Sequence, residues 1–285
     1  MNKIISAETK ICCVMGEPVA HSLSPIVHNC GYEVLGLDFV YIAFSVNNIR
    51  LAMDAVRTLG IRGASITIPH KINAVKYIDE MDNAAKDTGS INTVVNNSGQ
   101  LSGFNTDYAA ALKALEEKTA LAGKRVILVG AGGTARSIAQ GLKEKGARLT
   151  ILNRTPGRAE ELAKKVTAEG SGGLDELSAV ASSDILINAT PVGMWPDTNK
   201  SIVPGNLLHP YLTVFDVNYH PLETRLIADA REAGCTVVYG YKMFLYQAAM
   251  QFELFTDHPA PLPEMEATLT RALGGDEHDK INNGR

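Results

Sequence analysis

Short apolar runs closed by glycine or polar residues alternate along this chain with longer stretches in which apolar positions recur every three to four residues. "KICCVMG", "FVYIAFSV" and "IRGASITIP" read as buried strands. Between them, "SPIVHNCGYEVLG" reads as a helix with Ser24 as its cap and Pro25 at the first helical position. "NIRLAMDAVRTLG" reads as a second helix and "INAVKYIDEMD" as a third. "SINTVVNNSGQLSGFNTD" predicts two short strands around the turn "NNSGQ". This alternation predicts an α/β domain with a largely parallel sheet.

A long helix, "DYAAALKALEEKT", follows Asp107. A strand over Arg125 to Val129 then meets a glycine turn, a helix, and a second strand over Arg148 to Leu152. Further strands are predicted at "DILINAT", "LTVFDVNY" and "TVVYG", before the helix "YKMFLYQAAMQFELF". This is a second α/β unit. The tail "GGDEHDKINNGR" is polar and glycine-rich and is expected to be disordered.

The turn "GAGGTA" fits G-x-G-x-x-G/A through Gly130, Ala131, Gly132, Gly133, Thr134 and Ala135. Gly130 makes the tight turn, Gly132 admits a pyrophosphate against the backbone, and Ala135 lets helix pack on strand. The motif follows a predicted strand and opens a predicted helix, the context a dinucleotide site requires. An NAD site places an acid about 20 residues on, to bind the ribose 2′-OH. Here that place holds Asn153, Arg154 and Thr155, with Arg158 shortly after. A carboxylate would repel a 2′-phosphate, whereas a guanidinium pairs with it. The pattern favours NADP. The plainer alternative makes Arg154 and Arg158 solvated residues at a helix start.

Bulk properties narrow the classes. The 285 residues suggest about two domains. A net charge of −4 with no basic stripe argues against a nucleic-acid partner. No apolar run approaches the ~20 residues of a membrane helix, and the N-terminus lacks the apolar core of a signal peptide. Cys12, Cys13, Cys30 and Cys235 form no CxxC motif and read as buried thiols, so a cytoplasmic location is expected. His21, His28 and His70 make no metal-ligand pattern, and His70 reads as supporting the site or as partly exposed.

"GEPVAHSLSPIVHN", "TIPHK", "GSINTVV", "GFNTD", "GAGGTAR", "NRT", "NATPVGM" and "GYKMFLYQAA" occur in the order found in the shikimate dehydrogenase family, which the chain resembles from about Ile11 to Pro263. "ASITIPHK", "NTDY" and "QFELFTDHPAP" look most like the dehydrogenase half of the plant dehydroquinate dehydratase–shikimate dehydrogenase. With no room for a dehydratase before Ile11, a stand-alone dehydrogenase is expected. The resemblance implies reversible reduction of 3-dehydroshikimate to shikimate by NADPH, in the pathway to chorismate and the aromatic amino acids. It also implies a two-domain α/β fold, with a Rossmann NADP-binding domain (108–239) inserted into a substrate-binding domain (1–107) that residues 240–285 complete. The active site would lie in the cleft between them. A monomer or homodimer acting on a small molecule, without nucleic acid, membrane or metal, is expected.

Residue by residue, Lys71 in "TIPHK" matches the family's catalytic lysine, and Asp107 in "NTD" its partner aspartate. Hydride transfer to a ketone leaves negative charge on oxygen, which an ammonium stabilises and protonates. A carboxylate keeps that ammonium charged and oriented. In the oxidation direction the lysine must accept a proton, so oxidation should gain from higher pH. A plain Lys–Asp salt bridge is the structural alternative. Ser22 and Ser24 match the carboxylate-binding serines, and Thr67, Asn92, Tyr219 and Gln247 match residues that contact the ring hydroxyls or carboxylate. Thr190, Met194, Val217, Gly240 and Met243 belong with the cofactor residues in this comparison; Gly240 and Met243 border the nicotinamide. Trp195 and Pro196 shape the cofactor region. Ser65 departs from the asparagine of many bacterial members, leaves room beside the substrate, and raises the alternative of a dual quinate/shikimate dehydrogenase. A non-catalytic metabolite sensor is a remoter alternative, disfavoured because Lys71 and Asp107 are both present.

Overall fold

The computed structural model describes residues 5–274. Of the tail expected to be disordered, Gly274 ends a helix, and the rest lies outside that range. Two compact units form: one from the residues up to Thr106 together with those from Gln247 onward, the other from Asp107–Tyr246. The second is inserted into the sequence of the first.

In the first unit, β1 (Lys10–Gly16), β2 (Phe39–Ser45), β3 (Gly63–Ile66), β4 (Glu80–Met81), β5 (Thr93–Asn97) and β6 (Gln100–Phe104) form a sheet in the order β2-β1-β3-β5-β6-β4. β1 pairs parallel with β2 and β3, whereas β5 runs antiparallel to both β3 and β6. The sheet is therefore mixed, with β5 the antiparallel strand among otherwise parallel pairings. Ser98 and Gly99, at φ of 53° and 94°, form a two-residue reversal that brings β6 back against β5.

The helices of this unit are α1 (Ser24–Val34), α2 (Ile49–Thr58) and α3 (Asn83–Thr88). Ser24 does not cap α1. Leu23 holds the cap position, Ser24 is the first helical residue, and Ser22 Oγ accepts the Ser24 amide at 3.3 Å. The single helix predicted at "INAVKYIDEMD" also fails. A 3-10 turn ends at Tyr77, Ile78 becomes extended, β4 pairs with β6, and Asp82 then caps α3. Met53, Val56, Ile66, Ile91, Val94 and Leu101 fill the core beneath α2.

In the second unit, β7 (Arg125–Val129), β8 (Arg148–Leu152), β9 (Gly170–Gly172), β10 (Ile185–Asn188), β11 (Thr213–Asp216) and β12 (Thr236–Tyr239) form an all-parallel sheet in the order β12-β11-β10-β7-β8-β9. Its helices are α4 (Thr106–Glu116), which starts at the unit boundary, α5 (Gly133–Glu144), α6 (Pro156–Val166) and α7 (Arg225–Glu232). This is the doubly wound Rossmann order. Strand order reverses between β7 and β10, and ligands of such sheets bind beyond the carboxyl ends of the strands at that point.

The helix α8 (Gly240–Thr256) carries the chain back, and α9 (Leu262–Gly274) packs on α1. Phe252 and Phe255 join Tyr32 and Tyr41 around His28, whose ring stacks on Tyr41 at 4.2 Å and 7°. His28 is wholly buried. Burial lowers its pKa to about 3, a shift that nearby Gln251 opposes.

Candidate active site

The strand β3 ends at the "TIPHK" segment. Lys71 is half-buried, and its carbonyl accepts the Ile91 amide at 2.9 Å, which ties the segment to the start of β5. His70 is buried, with Nε2 2.6 Å from the Val46 carbonyl, so its role is to hold this turn.

The same unit holds a connected set of polar side chains. Asn92 is buried; its Oδ1 accepts the Thr106 amide at 2.9 Å, and its Nδ2 donates to Thr106 Oγ1 at 2.8 Å. Nδ2 also reaches Gln247 Oε1 at 3.5 Å. Thr93 Oγ1 donates to Asn92 Oδ1 at 2.9 Å. Ser65 is buried among partners: it accepts from the Tyr41 hydroxyl at 2.6 Å and donates to Gln251 Oε1 at 2.7 Å. Gln251 Nε2 in turn donates to Thr93 Oγ1 at 3.0 Å and to the Asn92 carbonyl at 3.2 Å. Ser65, Asn92 and Gln247 are therefore brought into one network. Ser24 is buried beside Tyr41, whereas Ser22 and Thr67 are half-buried. Burial with this much satisfied hydrogen bonding fixes the rotamers of the set, as positioning a polyhydroxylated ligand requires.

In the second unit the glycine turn is shaped for close approach. Gly130 lies at φ 125°, and a Cβ there would stand 2.7 Å from the Ala189 carbonyl oxygen. Gly132 takes the cap position of α5 and offers no side chain to the first-turn amides, and space is open where its Cβ would stand. The positive end of the helix faces the place a phosphate would take. Ala135 is buried under the helix. Past β8, Asn153 Nδ2 bonds the Thr155 carbonyl at 3.0 Å. Arg154 and Arg158 are exposed and make no ion pair among the described residues. Exposed guanidiniums at this turn, with no acid in the ribose position, fit a 2′-phosphorylated dinucleotide.

Asp107 is buried in the first turn of α4. Tyr219 packs on Phe244, with ring centroids 4.6 Å apart. Thr190, Met194 and Val217 are half-buried on the loops after β10 and β11, and Gly240 and Met243 lie buried in the first turn of α8. Among the described residues no group of three or more His, Cys, Asp or Glu could hold a metal ion, and no helix is long and apolar enough to cross a membrane.

Residues 14–94 match the shikimate dehydrogenase substrate binding domain, residues 111–200 the shikimate/quinate 5-dehydrogenase family, and residues 240–270 the shikimate 5′-dehydrogenase C-terminal domain. The NADP(+) shikimate dehydrogenase of Methanothermobacter thermautotrophicus is 42% identical over 283 residues, covering 96% of this chain and 100% of that protein. The chain belongs to the shikimate dehydrogenase family. A family member solved in complex with NADP+ superposes with a TM-score of 0.90 at 36% identity, covering 95% of this chain and 98% of that one. The Thermus thermophilus enzyme in complex with NADP(H) and shikimate gives 0.85 at 34%, covering 93% and 100%.

Against this family background, the sequence reading missed Tyr41, Thr93, Thr106 and Gln251. Gln251 had a signal: it follows Gln247 by one helical turn, so both amides share a face of α8. Tyr41 had none, because an aromatic residue in a buried strand is ordinarily packing.

Proposed function

We propose that this protein catalyses the reversible, NADP-dependent reduction of 3-dehydroshikimate to shikimate. The observation that carries the cofactor choice is the pair of exposed arginines, Arg154 and Arg158, with no ion pair among the described residues, past a glycine turn whose helix start has no side-chain cap. Support for the substrate comes from family membership and from the network of Ser65, Asn92 and Gln247.

In this reading residues 1–107 bind substrate, residues 108–239 bind the dinucleotide, and the chain from 240 onward returns to the substrate part. Gly130 to Ala135 and the α5 amides hold the pyrophosphate. Asn153, Arg154, Thr155 and Arg158 hold the 2′-phosphate end. Thr190, Met194, Val217, Gly240 and Met243 border the nicotinamide. When bound, NADPH supplies the hydride. Ser22 and Ser24 receive the substrate carboxylate, and Thr67, Asn92, Tyr219 and Gln247 take its hydroxyls. Lys71 gives its proton to the carbonyl oxygen as charge develops there, and Asp107 is assigned the carboxylate that keeps the lysine charged.

The test is a steady-state assay of the purified protein with shikimate and with quinate, each with NADP and with NAD. Turnover of shikimate with NADP at the highest kcat/KM is expected. A preference for NAD, or for quinate, would overturn the proposal.

A further inference from the structure

A buried carboxylate outside the residues already assigned sits at the carboxyl edge of the second sheet. Asp216 ends β11, has no exposed surface, and is paired in register with Asn188 at the end of β10. Its Oδ1 accepts from Asn188 Nδ2 at 3.0 Å and from the Asn218 amide at 3.1 Å. Its Oδ2 accepts from the Thr224 hydroxyl at 2.7 Å. Asn188 and Thr224 are fully buried as well.

The two asparagines that Asp216 orients grip one short segment. Asn188 Oδ1 accepts both the amide and the hydroxyl of Thr190, at 3.1 and 2.7 Å. Asn188 Nδ2 also donates to the Val192 carbonyl at 3.1 Å. Asn218 Nδ2 donates to the carbonyls of Thr190 and Val192, both at 3.0 Å. Thr190 thus has its amide, hydroxyl and carbonyl all bound to side chains that answer to one carboxylate. The same segment abuts the glycine turn through Ala189 and Gly130, and Asn218 abuts α8, where a Cβ on Gly240 would stand 2.3 Å from its carbonyl oxygen. Three surfaces of the proposed nicotinamide end therefore meet at this hub.

We infer that Asp216 is a positioning residue for hydride transfer: through Asn188 and Asn218 it fixes the 189–194 segment against which the nicotinamide end of the dinucleotide rests. A carboxylate suits the place because it only accepts, and each of its partners here arrives as a donor. An amide in its place turns one acceptor into a donor. It can keep the Asn188 side or the Thr224 side, but not both unchanged. Loosening here misplaces the reacting end while leaving the adenosine end, held past β8, undisturbed. The inference rests on the proposed function.

The experiment compares the wild-type protein with Asp216→Asn and with Thr224→Val, which removes the donor to Oδ2. In the ligand-free protein, amide hydrogen exchange at Thr190 and Val192 should quicken about tenfold or more in Asp216→Asn, with that of α5 and α6 unchanged. Binding of 2′,5′-ADP should stay within about twofold. The kcat for shikimate oxidation should fall roughly 10- to 100-fold, with a larger primary deuterium isotope effect for shikimate labelled at the reacting carbinol carbon. Thr224→Val should show the same split to a smaller degree, and serves if Asp216→Asn does not fold. Unchanged exchange at 190–192, or losses shared by α5, α6 and 2′,5′-ADP binding, would overturn the inference, as would an unchanged isotope effect. An inactive wild type would sink the functional reading and this inference together. An active wild type with unaffected variants would sink this inference alone.

Discussion

Ser65 gives its only hydroxyl proton to Gln251 Oε1, 2.7 Å away, and receives one from Tyr41. It can therefore offer a ligand no more than a lone pair. A larger amide at this position has to displace the Gln251 side chain. Ser65→Asn should accordingly cost stability, on the scale of about 1–3 kcal/mol for an overpacked site. It should also lower kcat/KM for quinate more than for shikimate, because the room that would admit an extra hydroxyl is filled. The ratio of kcat/KM for the two alcohols in wild type and variant decides this. An unmoved ratio would place discrimination at Ser22, Ser24 or Tyr219.

The proton-transfer assignment predicts that Lys71→Ala lowers kcat by roughly 10²–10⁴, the range for a positioned acid–base group. Shikimate binding should change far less, since the hydroxyl contacts lie elsewhere. Calorimetric titration beside kcat separates the two effects. Near-normal turnover in a folded variant would remove Lys71 from the chemistry.

Arg154 is exposed and makes no ion pair among the described residues. Arg154→Ala should leave the fold intact and weaken NADP by about 1.5–3 kcal/mol, the scale of a hydrogen bond to a charged group. NAD, which lacks the phosphate, should bind as before. Equal losses for both cofactors would mean the arginine serves the unit's structure.

His28 couples stability to acid. Its pKa is about 3 in the folded protein against 6.5 for an ordinary histidine, chiefly because burial penalises the imidazolium. Between those values the unfolded chain binds the proton and the folded one does not, so the stability from this ring is complete above pH 6.5 and drains away as pH falls toward 3. The slope is about 1.4 kcal/mol per pH unit. Among the described residues neither ring nitrogen finds a hydrogen-bond partner of normal geometry. His28→Phe should therefore keep the stacking on Tyr41 and remove this slope. Urea unfolding of both proteins from pH 4 to 7 checks it: the stability difference should grow with pH, and a constant difference would refute the account.

Much of the second unit was legible because its strands are continuous apolar runs and its glycine turn has one structural meaning. Its six parallel strands follow the reading closely except for β9, whose "GSG" carries no apolar signal. The first unit was harder. The helix read into residues 72–82 had the right apolar spacing, but pairing of Glu80 and Met81 with β6 prevailed over local propensity. Ser24 looked like a cap because sequence cannot say where a helix begins to within one residue. The motif residues Asn92 and Gln247 were visible as family positions. That Tyr41, Ser65 and Gln251 join them depends on contacts between residues up to 186 positions apart, which no local pattern encodes.

The interruption of the first unit by the second also sets an order in time. A chain leaving the ribosome completes residues 107–246 as one continuous stretch, so the inserted unit has all its strands and helices while the earlier one still waits. Until Phe252 and Phe255 emerge, the sheet face around His28, Tyr32 and Tyr41 lacks its cover. Domains usually mature from the N-terminus during synthesis. Here the part synthesised first is finished last, and the nascent protein carries an uncovered aromatic surface until its final helices are made.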